Sequence, residues 1–327
     1  LRSEMPSGTI HPNLHINEDI CAEVLDRAFR GGKDDKEKAV LMLTTMNNTQ
    51  RQMIRTPYKV RYGKDLEEEL KKNLKGDLEN LALSLINTAT KEDVVQLHKA
   101  VKGLGTNEKV LTEIIVSRTN DELHSIRNTF LANYKRTLED AVISDTSGYY
   151  QKILVVLMRG ERDQSIHTDS FKVRQAVETL AKPIEKKLIG SGGDKVEKYL
   201  PLCTESFHSL QRIFDEYHKK TGDTLDKTID KELSGDYHSV ISSIYRITTQ
   251  GVSRFFADLI HDFIKAHKED DLIRILVSRS EIDLADIKDV YLQTYQKSLV
   301  EDIKEGCKGA TQQALLSLVK GNKSFSN

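Results

Sequence analysis

Two glycine turns in this 327-residue chain carry an acid at the same distance downstream. The first is Val101-Lys102-Gly103-Leu104-Gly105-Thr106, with Asp145 lying 40 positions after Gly105. The second is Leu188-Ile189-Gly190-Ser191-Gly192-Gly193, with Glu232 lying 40 positions after Gly192. A turn freed of Cβ groups can aim several backbone carbonyls at one point. A hard cation such as Ca²⁺ takes about six to eight oxygen ligands at roughly 2.3–2.6 Å, drawn from carbonyls, carboxylates and water. The carbonyls of Val101, Gly103 and Gly105 with a bidentate Asp145 make one such set, and Leu188, Gly190, Gly192 and Glu232 make a second. Each set leaves coordination positions for water or for an oxygen of a ligand. A glycine after a helix is commonly no more than a C-cap, so one copy alone would carry little weight.

The weight comes from the elements around the turns, which repeat. Thr119 with Glu122 makes a capping box before a helical stretch. Stepping 72 back reaches Asn47, 87 forward reaches Ser206, and a further 74 reaches Ser280, all good N-cap residues. In the same registers Ile126 meets Ile54, Ile213 and Ile287, and Phe130 meets Tyr58, Tyr217 and Tyr291. Leu138 meets Leu66, Leu225 and Leu299, and Gly148 meets Gly76, Gly235 and Gly309. The chain is therefore a fourfold repeat. In the second copy EDVVQLHKAV, NEKVLTEIIVSR, DELHSIRNTFLANY, TLEDAVIS and YYQKILVVLM read as five helices, with Val110, Leu111, Ile114 and Ile115 on one stripe. No alternating strand pattern competes, so the expected class is all-α, four homologous five-helix repeats sharing cores. The expected bounds are a tail at 1–16, repeats at 17–87, 88–160, 173–247 and 248–322, a polar linker at 161–172 and a short tail at 323–327.

The outer repeats serve as controls. In the first, the turn reads Arg30-Gly31-Gly32-Lys33-Asp34-Asp35 and the acid position is Asn73, leaving only Asp34 and Asp35 for a weaker ion. In the fourth, Ile264-Lys265-Ala266-His267 has no glycine and the acid position is Gly306. Turn and acid are lost together twice and kept together twice. Purely structural caps have no reason to change in step.

Composition narrows the partners. Charged residues make up 30% of the chain but nearly cancel, to −1, which excludes nucleic-acid binding or membrane steering by bulk charge. An acidic partner needs a local patch or a bridging cation. Cys21, Cys203 and Cys307 are far apart and form no CxxC pair, which places the chain in a reducing compartment with Cys203 and Cys307 as buried small hydrophobes. The opening LRSEMPSGTIHPNLHIN lacks the apolar core of a signal peptide, and no apolar run reaches the ~20 residues of a membrane span. The expectation is a soluble, cytoplasmic protein whose membrane contact is peripheral. No EF-hand loop, P-loop or HExxH is present, and no Ser/His/Asp or Cys/His constellation can be assembled, so an enzyme is not expected.

These features resemble the annexin family. The matching stretches are KGLGT at Lys102–Thr106, SDTSGYY at Ser144–Tyr150, SRTNDEL at Ser117–Leu123, SRSEIDL at Ser278–Leu284 and the fourfold phase, over roughly residues 15 to 321. The resemblance implies a curved disc of four five-helix repeats, with Ca²⁺ loops on the convex face bridging to acidic phospholipids of the phosphatidylserine type. The open coordination positions would then take lipid oxygens, with Lys102 and Thr106 as headgroup contacts and the metal supplying the positive charge. It also implies a polar core between repeats, to which Glu113, Arg118 and Arg274 correspond; paired internal salt bridges are the plainer reading, and a cation path the bolder one. No protein partner follows from the tail. Self-association on a membrane and export without a signal peptide are left open, as is a helical-repeat scaffold whose glycine turns are only caps.

Overall fold

The computed structural model describes residues 7–103, 105–184 and 193–322, and among them the regular structure consists of twenty α-helices and no strand. The first repeat holds α1 (Glu18–Arg30), α2 (Lys33–Leu43), α3 (Asn48–Tyr62), α4 (Leu66–Asn73) and α5 (Gly76–Ile86). The second holds α6 (Ala89–Val101), α7 (Glu108–Ser117), α8 (Asn120–Tyr134), α9 (Leu138–Asp145) and α10 (Gly148–Met158). In the third are α11 (Ser170–Ala181), α12 (Gly193–Thr204), α13 (Phe207–Thr221), α14 (Leu225–Glu232) and α15 (Gly235–Gln250). The fourth has α16 (Val252–Lys265), α17 (Glu269–Arg279), α18 (Leu284–Tyr295), α19 (Leu299–Gly306) and α20 (Gly309–Lys320).

The sequence registers are the core registers. Ile54, Ile126, Ile213 and Ile287 are all buried, and so are Tyr58, Phe130, Tyr217 and Tyr291. Leu66, Leu138, Leu225 and Leu299 are buried at the start of each fourth helix. Each fifth helix opens on a glycine, Gly76, Gly148, Gly235 or Gly309, with φ between 61 and 66°. That left-handed step is one an L side chain makes only under strain, which is why glycine recurs there. It lets the chain reverse within two residues after the fourth helix.

Three of the four expected N-caps hold. Asn47, Thr119 and Ser206 each accept a hydrogen bond from the amide three residues on, those of Gln50, Glu122 and Ser209. Ser280 does not: it is the helical C-cap of α17, and α18 starts only at Leu284. The cause is the start of the chain. The amides of Thr9 and Ile10 donate to the Ser280 carbonyl at 2.7 and 2.9 Å, and the Ala285 amide donates to the carbonyl of Ser7 at 2.9 Å. A Cβ on Gly8 would fall 2.5 Å from the Glu281 carbonyl carbon, so only glycine passes here. A buried bidentate pair, Arg279 with Asp283 (2.6 and 2.7 Å), holds the remodelled turn. Part of the expected tail is thus built into the fourth repeat.

Two other expected boundaries fall differently. α11 opens at Ser170, inside the expected linker, because Asp169 caps it through the amides of Phe171 and Lys172. α15 runs on to Gln250, past the expected end of the third repeat. The linker itself is pinned: Arg162 Nη1 donates to the Glu205 carbonyl (2.7 Å) and the Asp163 amide to that of Thr204 (2.8 Å).

The repeats fall into two compact units. One comprises the chain up to Ala89 together with Ser253 onward, in which α5 packs on α17 and α2 on α20. The other is Thr90–Val252, in which α7 packs on α15 and α10 on α12. Each buries charge in pairs. Arg118 makes a bidentate contact with Asp93 (2.7 and 2.8 Å), with Glu113 Oε1 3.9 Å away, and Arg274 meets Asp271 at 2.5 Å. Cys21, Cys203 and Cys307 are buried and unbridged, and burial pushes the Cys203 thiol up to about 12 and that of Cys307 to about 11. Both stay protonated at neutral pH and are poor nucleophiles.

Removing one partner of a buried ion pair strands the other charge, at a cost of roughly 3 kcal/mol or more. Asp93→Ala is therefore expected to lower the midpoint of thermal unfolding by several degrees. A change no larger than that of an exposed ion pair, below about 1 kcal/mol, would show that Arg118 finds adequate compensation elsewhere.

Candidate metal centre

The glycine turn of the second repeat is the six-residue connection from α6 to α7, Lys102–Asn107. Gly103 and Gly105 have φ of 115 and 91°, and a Cβ on either would meet nothing within 4 Å. Space is not the constraint; the left-handed backbone is. The connection is closed at its foot by the Asn107 amide, which donates to the carbonyl of Ala100 (2.9 Å), while the Asn107 side chain caps α7 through the Val110 amide (3.2 Å). Its far side is tied to the fourth helix: Thr106 Oγ1 donates to the backbone carbonyl of Asp145 at 2.6 Å. The turn and the distant acid are therefore neighbours, as their paired occurrence in the sequence predicts. Thr106 spends its hydroxyl proton on this strut, while Lys102 is exposed.

Asp145 is the last residue of α9 and is exposed. Among the described residues its carboxylate has one hydrogen-bond contact, with the neighbouring Ser144 Oγ at 3.0 Å. A carboxylate at a helix C-terminus sits at the negative end of the helix dipole, an unfavourable place without a cation. The C-terminus of α6, ending at Val101, arrives at the same turn, its Lys99 and Ala100 carbonyls already met by the amides of Lys102 and Asn107. The ends of α6 and α9 are joined by the Thr106–Asp145 contact, and backbone carbonyls with an exposed carboxylate are the types of donor a hard cation takes. Val101, Gly103, Gly105 and Asp145 fit a Ca²⁺ ion on these grounds.

The third repeat differs. Leu188, Gly190 and Gly192 lie outside the described residues. Glu232 occupies the same place as Asp145, the last residue of its fourth helix, α14. Both of its carboxylate oxygens are engaged: Oε1 accepts from Lys198 Nζ and Oε2 from the Tyr199 hydroxyl, each at 2.7 Å. The Lys198 side chain is 5% exposed and that of Glu232 20%, so the pair sits at the edge of the interior. Burial and the Glu232 contact together push the Tyr199 phenol well above its ordinary range. Lys195 Nζ also approaches the Glu232 backbone carbonyl at 3.4 Å.

Lys198 and Tyr199 are not among the residues the motifs pick out. The repeat registers nonetheless carry the signal. In the register of Lys198 the other repeats have Ala39, Leu111 and Leu272, all buried, so a lysine there is a charge placed on an apolar stripe.

In the outer repeats the connection itself is shorter. α1 and α2 are separated by two residues, Gly31 and Gly32, and Lys33 already belongs to α2. Asp35 serves as a cap, its Oδ2 accepting from the Gly32 amide (3.2 Å), and Asn73 donates to the Glu69 carbonyl of its own helix (2.8 Å). In the fourth repeat only Ala266, His267 and Lys268 connect α16 to α17, and the expected turn residues Ile264 and Lys265 form the last turn of α16. His267 Nδ1 lies 3.4 Å from the Gly306 carbonyl, in the place of the Thr106–Asp145 strut. A Cβ on Gly306 would fall 2.5 Å from Ile264 Cγ2, so any side chain there would require Ile264 of α16 to move.

The annexin family model matches this chain four times, over residues 21–85, 92–157, 181–244 and 255–318. Annexin A5 of Gallus gallus is 38% identical over 317 residues, covering 96% of this chain and 98% of that protein. The solved structure of annexin III superposes with a TM-score of 0.90 at 34% identity, covering 97% of this chain and 98% of that one. That of calcium-bound annexin (Sm)1 superposes with a TM-score of 0.80 at 27% identity, covering 96% and 93%. With its four matched repeats, its five helices in each, and a full-length relative at this identity, the chain belongs to the annexin family.

Proposed function

We propose that this annexin is a non-enzymatic, Ca²⁺-dependent peripheral binder of acidic phospholipid membranes that acts in membrane organisation or traffic. The observation that carries the reading is Asp145, its carboxylate exposed at the C-terminus of α9 and its backbone carbonyl tied by Thr106 to a turn of left-handed glycines at the C-terminus of α6. Ca²⁺-dependent phospholipid binding is characteristic of annexins, and the matched annexin (Sm)1 structure is calcium-bound. Here the carbonyls of Val101, Gly103 and Gly105 with Asp145 hold the ion in the second repeat. Leu188, Gly190, Gly192 and Glu232 hold one in the third. The bound ion supplies the positive charge that a chain of net charge −1 lacks, and its open positions take phosphate oxygens of the lipid, with Lys102 and Thr106 beside them. Among the described residues no helix is long and apolar enough to cross a membrane, which agrees with contact from one side.

Sedimentation with phosphatidylserine vesicles tests the reading directly. The protein is expected to pellet with vesicles in Ca²⁺ and to stay in the supernatant with chelator. Equal partition in both conditions would sink it.

Residue roles are tested by the Ca²⁺ concentration for half-maximal pelleting. Asp145→Ala is expected to raise it by at least about tenfold, since even partners behind a metal ligand contribute that much. Glu232→Ala should raise it as well, whereas Asn73→Ala, whose amide only bonds within α4, should leave it unchanged. Equal effects of all three would refute the assignment.

A further inference from the structure

The two acids assigned to Ca²⁺ are not equivalent, and the difference lies in this chain's own side chains. Asp145 is exposed, with only its neighbour's hydroxyl against its carboxylate among the described residues. Glu232 has an ammonium on one oxygen and a phenol on the other. Lys198 comes from α12, the second helix of its repeat, and reaches Glu232 from the interior side at 2.7 Å. It stands in a register otherwise held by buried Ala39, Leu111 and Leu272. A lysine is seldom buried unless paired, and Glu232 is the partner that permits it.

We propose that Lys198 is a built-in counter-cation that occupies the Glu232 carboxylate and sets the Ca²⁺ threshold of the third repeat above that of the second. The proposal rests on the reading of Glu232 as a Ca²⁺ ligand. For a divalent ion to take both carboxylate oxygens, Lys198 and Tyr199 must give up hydrogen bonds to a charged acceptor. The lysine is then left in a poorly hydrated place beside a like charge. Among the described residues no ammonium or guanidinium is bonded to the Asp145 carboxylate: the corresponding residues Leu111 and Thr112 carry no charge, Thr112 is occupied with the Tyr150 hydroxyl at 3.0 Å, and Arg136 bonds the Ser144 hydroxyl instead. The protein would engage a membrane in two steps as Ca²⁺ rises, first through the second repeat and then through the third.

The test is made in the full chain on an Asp145→Ala background, so that the third repeat governs the response. The readout is the Ca²⁺ concentration for half-maximal sedimentation with phosphatidylserine vesicles. Lys198→Met, which keeps the length of the side chain and removes its charge, is expected to lower that concentration by about tenfold, the scale of a hydrogen bond to a charged group. Lys198→Arg, which keeps the charge, should leave it near the parent value. An unchanged or raised requirement in Lys198→Met, with the thermal transition intact, would overturn the proposal, as would an arginine variant that behaves like the methionine one. If Lys198→Met does not fold, Tyr199→Phe takes its place: removing only the phenol's bond to Oε2 should lower the requirement by a smaller factor, and no decrease would count against the proposal. Glu232→Gln separates the two levels of the argument. If it raises the requirement while the Lys198 variants change nothing, the counter-cation idea alone fails. If it has no effect in either lysine background, the Glu232 site fails and the proposal with it.

Discussion

The negative end of a short helix is the interaction around which this molecule is arranged. In every repeat the fourth helix stops after eight residues, and its last residue is Asn73, Asp145, Glu232 or Gly306. The carbonyls exposed there must be met by donors or by a cation. In three repeats a donor comes from the start of the second helix or the turn before it: Thr106 to Asp145, Lys195 to Glu232, and the His267 ring at Gly306. The same architectural requirement is thus answered by a hydroxyl, an ammonium and an imidazole. What varies is whether a carboxylate is added to the negative pole and whether that carboxylate is already neutralised.

Seen this way, the four repeats form a series. The second adds a carboxylate and leaves it exposed, the third adds one and covers it with Lys198 and Tyr199, and the fourth fills the place by close approach of Gly306 to Ile264. The first replaces the acid with an amide that turns back on its own helix. Loss of the acid goes with a shorter connection in both outer repeats, two residues in the first and three in the fourth.

Most of the fold was legible because its determinants repeat at fixed offsets. An isoleucine, an aromatic, a leucine and a glycine in four registers define the third, fourth and fifth helices, and all sixteen positions behave as those registers require. Legibility failed where something outside the repeat intervened. Ser280 has the residue type of an N-cap, but its carbonyl is taken by Thr9 and Ile10 from the other end of the chain, a long-range contact that no local pattern reveals. Counting forty positions from each acid also presumes equal loop lengths, and so placed Ile264 and Lys265 in a turn when they complete a helix. At the candidate site, turn and acid paired in two copies pointed to Val101, Gly103, Gly105 and Asp145, and the structure brings Thr106 of that turn against the Asp145 backbone. The covering of Glu232 did not, because a motif search looks for ligands and Lys198 is a competitor for one.

The division of the chain into two units bears on the order in which the parts can be completed. The second and third repeats are contiguous, and all residues of their unit exist once synthesis has passed Val252. The unit containing the first repeat draws its other half from Ser253 onward, including α17 and α20, against which α5 and α2 pack. During synthesis the first repeat must therefore wait for the fourth, with the faces of α2 and α5 uncovered, while the second and third repeats, made between them, already have the rest of their own unit. The same unit holds a clasp of distant segments, where the Asn322 side chain pairs with the backbone of His11 (2.6 and 2.8 Å) and Thr9 Oγ1 donates to the Leu318 carbonyl (2.6 Å). A nascent chain that has not yet reached α17 contains Asp145 and its glycine turn yet lacks the helices against which α5 and α2 of its first repeat pack.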